Sequence, residues 1–561
     1  MHKPLKQYTF DRREALRRER TIFIEDWRDL SDFVLGNRGQ FLMTDREAQR
    51  QFSKSRRNPQ LYNEVAKQSA QILAAGMMAG ITSPARPWFK LTTPDPDMED
   101  YEPVKLWLDD VQRILLQVFA RSNFYNGMQN VYLELGVFGT HAIGAYESFD
   151  NVMRFEPYTI GSYYLGQNSE REIDTLYREY SIPVAAVVKS FGLDNVSQAI
   201  RNQWDRGDID DRIGILHAIE PNDGRRYESP LAKDMKYRSA YFELGDGNNG
   251  KPLRVSGFRE RPFMAPRWEA IADDVYATSC PGINSLASNQ SLQIEELDKQ
   301  IAIEKMHNPP LVGDAALKSA GADLIAGGIT YVPNMAANGK PGLSPVYDVN
   351  PHVAELMHDI QEKEARIQRF FFADLFLMIT EMDRAQITAT EIVERKEEKM
   401  LMLGPVLERL NNELLDPIID RTFAVAQRAG ILPPPPQELQ EQELDVEYVS
   451  VLAQAQKAIT TASVESTVAF AANLAGVWPE ARHKIDPMQA IDDYARAKGA
   501  SPKILRSDDD AEDRADAEQQ QMQMQQAAAM GVAAADTTKT LSETQMAEEQ
   551  TALDQLAGAL A

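Results

Sequence analysis

The sequence predicts an α+β protein in which long helices bracket a strand-rich middle. Three stretches carry that expectation. Residues 351–429 hold two long helical patterns that meet at a short polar break around 381–386. Residues 137–267 switch to short aromatic and branched runs such as MRFEPY and KYRSAYFEL, separated by turn signals at Asp246-Gly247 and Asn249-Gly250. Residues 284–306, NSLASNQSLQIEELDKQIAIEKM, return to a helical pattern.

Taken in chain order, residues 11–57 read as helix: a basic run, then Ile22, Phe23, Trp27 and Leu30 on an inward side. A second helix over 59–79, apolar at Leu61, Val65, Ile72 and Leu73, runs into GMMAGITSPARPWFKL, where glycine and proline punctuate the chain. Residues 102–136 are helical again, and 182–191 and 195–204 add short helices to the strand-rich part. After 306 the pattern breaks at Asn308-Pro309-Pro310, and a glycine-rich segment follows as far as Tyr347. In the next helix Val353, Leu356, Ile360, Ile367, Phe371 and Leu375 fall mostly at three- and four-residue steps.

Beyond the polar break, Thr388 and Glu391 have the spacing of a capping box. Ile392, Met400, Leu403, Leu407, Leu410, Leu414 and Ile418 then continue along one side. A continuous helix over 389–428 would span roughly 60 Å. Pro405 and Pro417 each remove an amide hydrogen and crowd the preceding turn, so a kinked rod is expected. The proline run at 433–436 separates it from a small helical region over 446–497. The Gln/Ala/Met-rich tail beyond 507 cannot specify much of a core by itself. Rods of this length suit assemblies better than compact enzymes.

A chain of 561 residues can fill several cores. Its formal charge of −24 argues, taken alone, against a surface that wraps nucleic acid by neutralising phosphates. The charge is uneven: residues 1–60 carry 14 Lys/Arg against 9 Asp/Glu, whereas 505–561 carry 3 against 12. A single cysteine, Cys280, excludes an intramolecular disulfide framework or a cysteine metal cluster, and a reducing compartment is expected. The first twenty residues lack the apolar segment of a secretory signal. The greasiest run, 370–379, contains Asp374 and is far short of a bilayer span, so a soluble protein without membrane insertion is expected.

A search for chemistry comes back empty. None of the seven histidines forms a close metal-binding set, and His352 and His358, six apart, do not share a helix face. The glycine pairs at 76–80, 327–328 and 339–342 supply neither a P-loop nor a dinucleotide fingerprint; a hinge or close packing is the better reading. Ser285 and Ser288 lie in no nucleophile elbow. No catalytic residue, cofactor or metal is expected. The basic run Arg12, Arg13, Arg17, Arg18 and Arg20 reads either as a solvated helix face or as a docking surface for an acidic neighbour or DNA.

The order of these elements resembles the portal, or head-to-tail connector, proteins of short-tailed bacteriophages. SPARPWFKL at 83–91, the helix at 284–306 and PPLVG at 309–313 carry part of the likeness. ITATEIVERKEEKMLMLGPVLERLNNELLDPIIDRTF at 387–423 carries the strongest part. The likeness covers about residues 11–506, and the acidic tail is expected to be particular to this chain.

The resemblance implies a portal fold assembled as a ring of about twelve subunits. Residues 1–282 would form N-terminal helices and a mixed α/β wing, 283–308 a first stem helix, 309–350 an inserted clip and 351–380 a second stem helix. Residues 381–387 would be a channel loop, 388–432 a long kinked helix under the wing, 433–506 a helical crown, and 507–561 a disordered or peripheral tail. Such a ring sits in the virion at one capsid vertex, after assembly in the host cytoplasm, and conducts double-stranded DNA in packaging and ejection without reading its sequence. Its implied partners are capsid and scaffolding proteins, the terminase motor, and then tail adaptor or nozzle proteins; ATP hydrolysis belongs to the terminase.

The residues implied for the channel loop are Asp383 and Arg384; for the channel-facing stem, Glu355, Asp359, Glu362, Lys363 and Arg366; and for subunit contacts, Arg12, Arg13 and Arg17. In a conduit, net acidity makes sense, because carboxylates keep the duplex off the wall where tight phosphate binding would hold it. The alternative is an oligomeric scaffold or adaptor with no DNA channel.

Overall fold

A computed structural model describes residues 4–42, 61–95, 101–307 (apart from 228, 246–250 and 272), 311–313, 343–345, 353–381, 403–439 and 445–448, with short helical pieces beyond 466. The chain divides into two compact units. The larger comprises Met1–Lys90, Val111–Pro434 and Val446–Gln456; the smaller comprises Leu91–Asp110, Pro435–Asp445 and Lys457–Ala561.

The larger unit begins with α1 (Leu5–Arg20), a 3-10 turn at Thr21–Phe23 and α2 (Ile24–Phe33). The helix expected over 11–57 is therefore earlier and shorter within the described residues. Leu16, Trp27 and Leu30 are buried as their periodicity requires, whereas Ile22, expected to face inward, is exposed. Next come α3 (Val65–Gly80), strand β1 (Phe89–Thr92), α4 (Glu102–Arg121) and α5 (Phe124–Phe138), with residues 91–110 belonging to the smaller unit. The last two were expected as one helix. They separate at Asn123, whose side chain bonds both ways with the backbone of Phe155: Oδ1 accepts from its N–H at 2.9 Å and Nδ2 donates to its carbonyl at 2.6 Å.

Two antiparallel sheets follow. The smaller has the order β3 (Val152–Tyr158), β2 (Ala142–Ser148), β9 (Phe263–Met264). The larger runs β4 (Tyr163–Gln167), β5 (Ile173–Pro183), β6 (Arg212–Pro221), β7 (Tyr237–Glu243), β8 (Arg254–Phe258), each strand beside its successor. Side chains alternate across a strand, so the larger sheet feeds two cores. Tyr177, Leu216 and Phe242 pack with Leu16 of α1. Ile215 and Leu253 pack with Val184, Val187 and Ile200 on the short helices α6 (Val184–Phe191) and α7 (Gln198–Arg206).

The SPARPWFKL stretch contributes the aromatic centre of the other core. Trp88 stacks on Phe124 at 5.9 Å, and Phe119 sits 4.5 Å from Phe124. Buried Glu134 of α5 ties three segments together through Arg38, His141 and the backbone N–H of Ile160, at 2.9, 3.0 and 3.0 Å.

Helix α8 (Pro281–His307) is 27 residues, about 40 Å long. Two short strands, β10 (Leu311–Gly313) and β11 (Leu343–Pro345), pair antiparallel and join the ends of the insertion that follows. The returning helix, expected to be continuous, is two: α9 (Val353–Phe370) and α10 (Ala373–Glu381). Phe372 between them has φ +54°, a left-handed conformation that cannot continue a helix. That break lets Phe376 lie on α3, where its ring occupies the space a Cβ on Gly76 would need, 2.2 Å away. Close packing is thus the role of Gly76.

A further helical segment over 403–410 widens into a π-helical turn at Asn411–Leu415 before α11 (Asp416–Arg428). The disruption expected at Pro417 takes this form. Pro417 has no N–H for the carbonyl of Glu413 and its ring crowds that oxygen, so the wider turn accommodates both faults. Arg421 and Arg428 then fix α11 to the β2–β3 hairpin. Arg421 Nε donates to the Ala145 carbonyl at 2.7 Å, and Arg428 pairs with Glu147 at 2.9 Å and with Glu260.

The smaller unit contains Pro487–Lys498 as helix and a helical piece over 467–474, in line with the helical region expected there. A strand, Asp445–Tyr448, lies at the edge of that region.

Gly76→Ala is expected to destabilise the protein by about 1–3 kcal/mol, because a methyl must displace a buried ring; an unchanged chemical-denaturation midpoint would contradict that packing. His217 gives a second test. It is fully enclosed, stacked 3.9 Å from Tyr241 and 2.9 Å from Ser239 Oγ through Nε2. Burial, then the charges of Arg178 and Arg254, hold its pKa well below the usual histidine value. Below about pH 6.5 the unfolded chain takes up a proton that the folded chain refuses, so stability falls with falling pH by up to about 1.4 kcal/mol per pH unit. Unfolding of wild type and His217→Gln, followed from pH 7 downward, should diverge below about pH 6.5; parallel curves would exclude this coupling.

Candidate functional site

Helix α8 is held to its neighbours largely by polar groups. On α8 the buried stripe is Ser285, Asn289, Leu292, Gln293 and Glu296. These positions recur at helical spacing, but only Leu292 is apolar. Gln293 accounts for much of the attachment. Its Oε1 accepts from the N–H groups of Tyr62 and Asn63 at 2.7 and 2.8 Å, and its Nε2 donates to the Asn63 carbonyl at 2.9 Å and Asn289 Oδ1 at 3.0 Å. Asn289 in turn donates to the Phe33 carbonyl at 2.9 Å. Asn63 spans the helix pair, donating to Glu296 of α8 at 3.1 Å and Glu364 of α9 at 2.8 Å.

The outward side of α8 carries apolar residues that its own chain leaves uncovered. Ile294 is 62% exposed, and Ile301, exposed as well, lies seven residues away on the same face, with exposed Asp298 between them. Ile303 and Met306, also exposed, lie on other sides of the helix near its end. Isoleucines standing exposed in line on a helix are out of place in an isolated globular domain.

The five charges expected on the stem separate into two groups. Glu355, Asp359, Glu362 and Arg366 are all exposed on α9. Their four-, three- and four-residue steps align them in one row, about 16 Å long. Arg366 lies 3.5 Å from Glu362 within that row. Lys363 leaves it: the ammonium pairs with Glu295 of α8 and, at 2.9 Å, with Asp359. It is an interhelical tie.

Asp383 and Arg384 lie outside the described residues, as does most of the polar break. Of the N-terminal arginines, Arg13 pairs inside its own chain with Glu179 of β5 at 3.2 Å and lies over Phe10. Arg17 stands 3.8 Å from Glu14, and Arg12 is half-buried on the same helix.

Sequence reasoning did not single out Asn63, Asn289, Gln293, Arg267 or Glu413. Arg267 is buried, and Glu413, from the π turn, accepts from its backbone N–H at 2.8 Å and from its guanidinium at 2.6 Å. The usable signal was the Asn289–Gln293–Glu296 spacing, which keeps a helical period without apolar residues. Among the described residues, no cluster of His, Cys, Asp or Glu could hold a metal ion, and no helix is long and apolar enough to cross a membrane.

An α/β body with a long helix pair, an insertion closed by two strands and a broken rod returning under a sheet describes a class of structural subunit. Residues 7–505 match the family described as bacteriophage head to tail connecting protein. The portal protein of Salmonella phage epsilon15 is 44% identical over 546 residues, 97% of each chain. The probable portal protein of Bordetella phage BPP-1 is 40% identical over 490 residues, 87% of each chain. The chain belongs to the bacteriophage head-to-tail connecting family, the portal proteins of tailed phages, whose role is structural and non-catalytic. The 546 aligned residues leave only 15 of 561 outside. The acidic tail is therefore largely shared with a relative, against the expectation that it is particular to this chain.

Gln293→Leu should strand two backbone N–H groups at about 1–3 kcal/mol each, and urea unfolding should show a loss of that order. A loss no larger than for an exposed α9 substitution such as Gln368→Leu would refute this role for Gln293.

Proposed function

We propose that this portal protein closes into a ring of about twelve subunits at one capsid vertex. Double-stranded DNA passes through the ring during packaging and again during ejection. Terminase docks on it first and tail adaptor or nozzle proteins afterwards, with the insertion at 309–350 as the docking clip. The observation that carries the reading is the outward face of α8, where Ile294 and Ile301 stand exposed opposite the hydrogen-bonding groups of the buried stripe. An apolar stripe repeated on every subunit is favourable when the next subunit covers it, and a head-to-tail contact that repeats by rotation closes a ring.

In this arrangement the row Glu355, Asp359, Glu362 and Arg366 faces the channel, three carboxylates to one guanidinium. The polar break at 381–387 forms the loop nearest the duplex, with Arg384 making transient phosphate contacts. Arg12 and Arg17 contribute to the subunit boundary, while Arg13 is already engaged with Glu179. Residues 433–506 form the crown toward the capsid interior.

Negative-stain microscopy of the purified protein should show annular particles with a lumen wide enough for B-form DNA. Ile294→Glu combined with Ile301→Glu should abolish the rings and leave folded monomers with an unchanged circular-dichroism spectrum. A wild-type protein that stays monomeric across salt and concentration would overturn the ring. Particles with a solid core would favour the adaptor reading without a channel.

A further inference from the structure

Between the α1–α2 corner and the five-stranded sheet lies a cavity of about 600 Å³. Arg17, Arg20, Arg28, Arg178 and Arg212 line it, against only Glu25 and Glu179. Glu179 is partly neutralised from outside the cavity by Arg13, at 3.2 Å. A strongly acidic protein thus folds a cationic hollow, and its net sign is opposite to that of the whole chain.

The guanidinium groups are mounted mainly on backbone carbonyls and aromatic rings, although Arg178 also pairs with Glu156 at 3.0 Å and Arg17 stands 3.8 Å from Glu14. Arg20 is 7% exposed; its Nη1 donates to the carbonyls of Gly161 and Tyr163 at 2.7 and 2.8 Å, and its plane lies over Tyr164. Its Nε is buried with no hydrogen-bond partner. Arg178 lies between the rings of Tyr158 and Tyr180, at 4.3 and 4.4 Å. Arg28 and Arg212, both exposed, each donate to a backbone carbonyl, of Leu42 at 3.3 Å and of Ser181 at 2.6 Å. Each guanidinium has five N–H donors, so Arg28 and Arg212, each with one hydrogen bond to a carbonyl, keep most of their donor capacity for an anion.

We propose that this cavity is a binding site for an acidic polypeptide segment, and that residues 507–518 of a second copy of this chain are its occupant. The segment reads SDDDAEDRADAE, seven carboxylates to one arginine. Side-chain carboxylates of such a segment can reach into a concavity of this size and meet guanidinium groups in bidentate fashion. The tyrosine rings on the walls match the aliphatic parts of such a segment. A DNA duplex carries its phosphates on a convex surface and does not enter. The site is separate from the channel-facing row on α9.

The test uses assembled full-length protein in which the seven Asp and Glu of residues 507–518 are replaced by Asn and Gln, so that no neighbouring copy fills the cavity, with a fluorescein-labelled synthetic peptide of the native residues 507–518 followed by anisotropy. The peptide should bind at low salt and weaken as salt rises. A version with every Asp and Glu replaced by Asn and Gln should not bind. Arg28→Ala with Arg212→Ala, both at exposed positions, should weaken binding about tenfold or more while leaving the rings intact. A photo-crosslinking peptide should mark the segments holding Arg20, Arg28 and Arg178, which reports on the site even if a variant misfolds. Undiminished binding by the double variant, binding of the uncharged peptide, or crosslinks confined to other segments would each overturn the proposal. So would displacement of the peptide by a DNA duplex, since the cavity would then be a phosphate surface. Intact rings that ignore the peptide would also overturn it, and would leave the channel reading standing.

Discussion

A long helix that buries amides and a carboxylate can be held in place only where each polar group finds its partner, and α8 meets that condition along its length. Gln293 uses both ends of its side chain, Asn289 reaches the end of α2, and Asn63 bonds to Glu296 and Glu364 together. Apolar packing tolerates sliding, because one leucine contact resembles another. Hydrogen bonds between fixed partners do not, since each buried group left unpaired costs about 1–3 kcal/mol. The arrangement therefore fixes the register of α8 against α2, α3 and α9. It also leaves Ile294 and Ile301 of α8 uncovered by its own chain, free to bury surface against another protein.

The same logic governs the returning rod. A continuous helix past Pro417 would lose a hydrogen bond and clash with its own preceding turn. The π turn at Asn411–Leu415 removes that conflict, and Glu413, inside the turn, reaches buried Arg267. Two residues into the following helix, Ile418 and Ile419 are buried, and Arg421 reaches the β2 backbone. A local backbone fault has become an attachment point. Breaking the Arg267–Glu413 pair from one side would leave a buried charge uncompensated, which is far more costly than losing an exposed pair.

Much of the framework could be read from the sequence. The strand-rich middle, the two short helices inside it, α8 and the part of the rod from residue 403 onward, with its fault at Pro417, follow from periodicity, turn residues and proline chemistry, while the expected start of the rod at 388–402 lies outside the described residues. What escaped has physical causes. The break at Phe372 carries neither glycine nor proline; tertiary packing of Phe376 on Gly76 accompanies a left-handed residue that local preference would not choose. The polar attachment of α8 escaped because polar residues at helical spacing ordinarily mean a solvated face, and only the folded chain supplies partners such as the Tyr62 and Asn63 amides. Lys363 looked like one more stem charge because the neighbour that claims it, Glu295, is 68 residues away in sequence.

Removing Lys363 from the exposed row changes the electrostatics of the proposed wall. Lys363 sits beside the row and pairs with Glu295 of α8 as well as with Asp359, so the row itself has three acids to one base, with Asp359 partly neutralised from the side and Arg366 close to Glu362. Carboxylates that stand in water are screened over roughly 8–10 Å at ordinary ionic strength, so such a row acts on a duplex only at short range. It discourages contact without creating a far-reaching barrier. A lysine projecting at the same level in every subunit would instead form a cationic ring, and each phosphate neutralised there would add a salt-dependent binding increment that slows transit. Pairing Lys363 with Glu295 between helices serves the stem and the proposed channel together: the charge that would hold DNA is spent on holding α9 to α8.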